Sequence, residues 1–167
     1  MGRIHPTLSA TDAMLTAPLR RRLHLRSGAA VTRCLRAACY PGGMDGIGRR
    51  RWAIAEGYIP GRSHGPSPEM ESHEACCILN AGGAPANIAI TIFFEDREPA
   101  GPYRLVVDPQ RTRHLRFNSL TEPEPVPKDT PYASVIESDV PVVVQHTRLD
   151  SRQAENALMT TIAFAAD

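Results

Sequence analysis

The sequence predicts an all-β protein, an antiparallel β-sandwich of jelly-roll type with about eight strands, preceded by a basic N-terminal extension that is disordered or weakly helical. Three observations carry this. From Trp52 onward the chain is a series of apolar, β-branched runs of strand length. Turn signals separate them: Pro60-Gly61, Gly65-Pro66, Gly82-Gly83, Gly101-Pro102 and a Pro-rich stretch from Pro123 to Pro131. No long amphipathic helical pattern interrupts the series.

Charge divides the chain before the strands begin. Residues 1–51 hold ten arginines against Asp12 and Asp45, whereas residues 52–167 hold nine Lys and Arg against sixteen Asp and Glu. Such asymmetry marks a tail joined to a domain, placed here at 1–47 and 48–167. Residues 1–43 sustain no period of 2 or 3.6. The run Ala29–Ala38 is long enough for one short basic helix, which Pro41-Gly42-Gly43 ends. Met44 follows at once and reads as the true start, with residues 1–43 translated from a start codon assigned too far upstream. A basic nucleic-acid-binding arm is the rival reading of the same arginines.

The expected strands follow in order. Trp52–Ala55 opens the domain and puts Trp52, Ile54 and Glu56 on one face. His73–Asn80 has an apolar middle and polar ends, and Asn87–Glu95 and Tyr103–Val107 are apolar runs between turns. Thr112–Phe117 belongs to the basic run Arg111-Thr112-Arg113-His114-Leu115-Arg116, which reads as an exposed edge or subunit contact, or else as a phosphate or nucleic-acid contact. Ser134–Glu137 precedes Asp139. Val142–Leu149 is the most informative: Val142, Val144, His146 and Arg148 share one face, which begins apolar and ends charged, with Asp150 at the exit. Buried charge is costly unless paired, so this end reads as the polar end of a cavity or interface. Ser151–Leu158 is the one helical candidate, capped by Asp150 or Ser151. Thr160–Ala165 is the last strand.

The chemistry-bearing residues point to binding rather than catalysis. Glu56, His73, Asn80, His146, Arg148, Asp150 and Arg152 are the candidate ligand-binding residues, and no catalytic or metal-binding residue is assigned. Glu56 has a plainer reading as the salt-bridge partner of a nearby arginine. His73, His146 and a carboxylate would be the minimum metal set, but no strand carries an H-x-H pair, so no cofactor is expected. There is no G-x-S-x-G elbow and no Gly-rich phosphate loop. The four cysteines, Cys34, Cys39, Cys76 and Cys77, show no zinc spacing. Cys76 and Cys77 are neighbours in a strand, point to opposite faces, and read as small buried side chains in a reducing cytoplasm. No apolar run approaches the roughly 18–20 residues that span a bilayer.

The residues Trp52-Ala53-Ile54-Ala55-Glu56-Gly57-Tyr58-Ile59-Pro60, Ser72-His73-Glu74, Cys77-Ile78-Leu79-Asn80-Ala81-Gly82 and Gly101-Pro102-Tyr103-Arg104-Leu105 resemble the Anabaena-type sensory rhodopsin transducer family. So do Arg113-His114-Leu115-Arg116-Phe117-Asn118 and Gln145-His146-Thr147-Arg148-Leu149-Asp150-Ser151-Arg152-Gln153. The blocks are collinear from about Gly48 to the C-terminus, and residues 1–43 have no counterpart. The resemblance implies a soluble, cytoplasmic β-sandwich that assembles as a homotetramer and is not an enzyme. It implies signal transduction, with a membrane sensory rhodopsin as a partner, and small-molecule binding, of sugars or related metabolites. It also links some members to transcriptional control and DNA. A DNA-binding regulator and a metal-dependent jelly-roll enzyme are the alternatives. The acidic balance of residues 52–167 opposes tight contact with phosphates.

Overall fold

The computed structural model describes residues 46–166. Residues 1–45 of the basic extension, with the helix expected at 29–38, lie outside the described residues. Eight strands follow one another: β1 (Arg49–Gly57), β2 (His73–Asn80), β3 (Ala86–Phe93), β4 (Ala100–Val107), β5 (Arg111–Arg116), β6 (Tyr132–Asp150), β7 (Ala157–Ile162) and β8 (Phe164–Ala166), with one 3₁₀ turn at Phe117–Ser119. One sheet runs β4-β3-β6-β1-β8 and the other runs β5-β2-β6-β7. Their strand pairings are antiparallel. The all-β antiparallel class expected from the sequence is the one observed.

β6 is the member the two sheets share. Its first half pairs with β3 and β1, and its second half pairs with β2 and β7. The sequence read it as two strands, Ser134–Glu137 and Val142–Leu149, parted by Asp139 and Pro141. Both residues instead sit at the hand-over between sheets. The β3 ladder ends at Ser138 and the β2 ladder starts at Val143, so the missing N–H of Pro141 interrupts neither. Asp139 accepts from the backbone and side-chain nitrogens of Asn87, at 2.8 and 2.5 Å. Trp52 Nε1 donates to the carbonyls of Arg49 and Val142, 3.0 Å each, pinning β1 to the hand-over. The same crossing is made opposite: Ala163 separates β7 from β8, and its N–H donates to Val144 O at 3.1 Å. The run expected at Thr160–Ala165 is therefore two strands, one in each sheet.

The expected helix at Ser151–Leu158 is absent. Ser151 is buried, and residues 151–156 form the turn of a hairpin whose ladder opens with Asp150 opposite Ala157. Asn156 takes a φ of 29°, a left-handed conformation that Asn tolerates. A segment too short to hold as a helix alone finds its hydrogen bonds in the β6 ladder. Phe117 likewise leaves the expected strand for the 3₁₀ turn.

Alternation fills the core. Ile88, Ile90 and Ile92 of β3, Ile136, Val142 and Val144 of β6, and Ile78 of β2 all point between the sheets. Cys76 is buried among them, and burial pushes its thiol up to about 12, whereas Cys77 is half-buried on the opposite face.

Two outcomes follow from this packing. A Cβ at Gly48, whose φ is +103°, would lie 2.2 Å from Val142 O. Gly48→Ala should lower the unfolding free energy by about 2 kcal/mol or more, read by urea denaturation with Trp52 fluorescence. Iodoacetamide at pH 8 should alkylate Cys77 in the native protein and reach Cys76 only after unfolding, as peptide mass mapping would display.

Candidate functional site

The site begins with a carboxylate in the core. β2 alternates inward at Glu74, Cys76, Ile78 and Asn80, all buried. Glu74 is fully buried, a position that an unpaired carboxylate cannot hold. The register brings Arg148 directly opposite Glu74, and His146 opposite Cys76. His146 Nε2 contacts Glu74 Oε2, and Arg148 Nε donates to Glu74 Oε1. The backbone N–H of Tyr58, just after β1, donates to Glu74 Oε1 at 3.0 Å. Both carboxylate oxygens are thus held, by three groups from two separate parts of the chain, β6 and the turn after β1.

A chain of charges leads outward from this pair. Arg148 Nη2 lies 2.7 Å from Glu56 Oε1, an ion pair whose alignment falls short of a hydrogen bond, and the Glu56 side chain is 67% exposed. Burial works against the Arg148 charge, but the carboxylates of Glu56 and Glu74 outweigh it and hold the guanidinium above its ordinary pKa. Beside the network are two buried hydroxyls without a hydrogen-bond partner among the described residues, Tyr132 and Ser134. Burial, with the nearby Glu74 charge, pushes the Tyr132 phenol well above its usual range. The ring stands edge-on to Phe117 at 5.9 Å, and Gly57 leaves it room.

At the strand exit the same face opens on a groove of about 450 Å³ lined by Arg62, Asp150, Arg152, Gln153, Glu155 and Asn156. Arg152 Nε donates to both oxygens of Asp150, at 2.9 and 3.1 Å, and this pairing draws the Asp150 carboxyl below its usual range. The Arg152 guanidinium lies over the Tyr58 ring at 5.8 Å, and the Tyr58 hydroxyl meets Asp129 Oδ1 at 3.1 Å. Beneath the groove Ser151 N donates to Ser72 Oγ at 3.0 Å.

Five of the seven sequence-derived candidates therefore form one series, His146, Arg148, Glu56, Asp150 and Arg152. Two do not join it. Asn80 is inward but at the far end of β2. It donates to the carbonyls of Ala84 and Val107, at 2.8 and 3.0 Å, and accepts from Gly82 N at 3.0 Å, which fixes the β2–β3 turn. His73 faces outward, and its Nδ1 donates to Glu71 O at 2.7 Å. His73 and His146 thus point to opposite faces of their sheet, which parts the two histidines of the conceivable metal set.

A family model described as Anabaena sensory rhodopsin transducer matches residues 47–165. The chain belongs to that family. A solved structure named Anabaena sensory rhodopsin transducer is 58% identical, covering 60% of this chain and 98% of its own, with a TM-score of 0.55. A Thermotoga maritima crystal structure, of protein 1070, is 39% identical over 71% of this chain and 96% of its own, with a TM-score of 0.64. No protein of curated function matches. Among the described residues of this transducer-family chain no helix is long and apolar enough to cross a membrane.

The residue that organises this network, Glu74, is not among the sequence candidates. Its signal was present: it shares parity with Cys76, Ile78 and Asn80, so any reading that buries those buries Glu74. What the sequence lacked was the β2–β6 register that supplies Arg148 and His146. Removing one member of a buried ion pair costs about 3–5 kcal/mol because a charge is left unpaired. Glu74→Gln should lose stability on that scale by urea denaturation. Adding Arg148→Met should cost much less than the sum of the two single changes, a coupling that a double-mutant cycle measures.

Proposed function

We propose that this protein is a non-enzymatic signal-transduction domain. It binds a small polar ligand, sugar-like or anionic, or a signalling partner, at the groove where Asp150 and Arg152 stand outside the Arg148–Glu74–His146 network. The observation that carries the reading is the continuity of that polar series. One strand face runs from buried His146, through Arg148, to Asp150 on the groove. A ligand that engages Arg152 or Asp150 competes with their mutual ion pair. The change is then felt two residues along, where Arg148 divides its donors between Glu56 and Glu74. Ligand binding acts on signalling by favouring one arrangement over another.

A solved relative in the family bears the name of a sensory rhodopsin transducer. By that likeness a membrane sensory rhodopsin is a partner of this chain, which would work in the cytoplasm. Assembly as a homotetramer is part of the same proposal. It is supported by a strip of exposed apolar side chains on β7 and β8, Leu158, Ile162 and Phe164, each at least 60% exposed. Apolar strips of that kind mark surfaces that a partner covers.

Thermal-shift measurements with a panel of sugars and sugar phosphates test the ligand. At least one should raise the melting temperature, and Arg152→Ala should abolish the rise; no stabilisation by any of them would remove the small-molecule half of the proposal. Sedimentation velocity tests the assembly. The unmodified chain should run as a tetramer, and Leu158→Glu with Phe164→Glu should shift it to smaller species.

A further inference from the structure

The β5-β2-β6 sheet carries a second concave surface on its outer face. The alternation that sends Glu74 and Cys76 inward sends His73, Ala75 and Cys77 outward. On one side the register sets Arg116 opposite Ala75 and His114 opposite Cys77. On the other it sets Thr147 opposite Ala75 and Gln145 opposite Cys77. Two cross-strand rows result, Arg116–Ala75–Thr147 and His114–Cys77–Gln145. The short side chains lie in the middle and the long ones on the flanks, so the rows make a trough. Arg113 and Ser119 line it as well, and its volume is about 640 Å³. Small-molecule sites have volumes of this order.

The lining is rich in donors and contains no carboxylate. Arg116 is steadied by an Nη1 bond to Pro68 O at 3.0 Å, which leaves its other guanidinium hydrogens for a ligand. The Nδ1–H of His73 is used by Glu71 O, which directs Nε2 elsewhere. Glu71, the nearby acid, is tied to Lys128 at 2.9 Å. The side chain of His114 has no hydrogen-bond or ion-pair partner among the described residues. Guanidinium, imidazole, amide and hydroxyl donors on a lining that holds no carboxylate fit an anion whose oxygens accept from several directions.

We propose that this trough is a second ligand site, separate from the Asp150–Arg152 groove, and that it takes a small molecule bearing a phosphoryl group. A duplex fits less well. Exposed Leu79 extends the same face beyond the His114–Cys77–Gln145 row, so the donors make one local hollow rather than a basic stripe. Tight duplex binding needs phosphate contacts repeated along a surface.

The test uses the full chain and inorganic pyrophosphate, with sodium chloride at matched ionic strength as reference. Calorimetry should detect pyrophosphate binding, and His114→Ala with Arg116→Ala should weaken it at least about tenfold, on the scale of one lost charged hydrogen bond. Arg104→Ala, which removes a positive charge at an exposed position of β4, should leave it unaltered. In the unmodified protein pyrophosphate should slow alkylation of Cys77 on the trough floor, a readout that does not depend on the variants folding. Heat no greater than with chloride, equal weakening by Arg104→Ala, or no protection of Cys77 would each overturn the proposal. Binding of duplex DNA without binding of pyrophosphate would overturn it too, in favour of a nucleic-acid surface.

Discussion

The fully buried carboxylate of Glu74 is the constraint on which the rest depends. A charge in a core is tolerated only with partners in place, and here they come from β6 and from the turn after β1. The strand pairing is thereby fixed. A slip of one residue between β2 and β6 would turn each inward side chain outward and strand Glu74 without Arg148 and His146. A slip of two residues would keep the apolar side chains inward, so alternation alone does not exclude it. The ionic network discriminates between the registers, so it contributes specificity even where its net stability is small.

The same register gives β2 and β6 two chemistries, one on each face. Inward, acid and base neutralise each other in the dark of the sandwich, and the charge is exported step by step to Glu56. Outward, the trough is lined by donors and by no carboxylate. Strand alternation alone separates the two sets, though they are interleaved in sequence: His73 and Glu74 are neighbours, as are His146 and Thr147. A short stretch of chain can serve two surfaces at once because a sheet has two sides.

Much of this was legible in the sequence. The strand class follows from short apolar runs between turn residues, and His73–Asn80 was delimited to the residue. Parity alone placed Val142, Val144 and His146 on one buried face. The pairing of Glu56 with an arginine was anticipated without knowing that Arg148 would supply it. What was not legible depends on contacts between distant segments. Asp139 and Pro141 look like a turn because local propensity cannot tell a chain that stops from one that changes partners. The 151–158 segment looks like a capped helix because the ladder offered by β6 is invisible from within it. Asn80 and His146 look alike as polar strand residues, yet one is saturated by turn carbonyls and the other faces a carboxylate.

β6 belongs to both sheets, and so the described domain has no seam between them. In most sandwiches the sheets are joined by loops, and each can loosen while the other holds. Here nineteen residues of continuous backbone form an interior member of one sheet and then of the other. Local opening has no natural boundary at the hand-over, since freeing β6 from β2 and β7 loosens the neighbours of β1 and β3. The described domain should behave as a single cooperative unit in amide exchange, with its slowest protons spread along β6 rather than gathered in one sheet. A disturbance at the groove end of such a strand reaches the opposite sheet through covalent bonds.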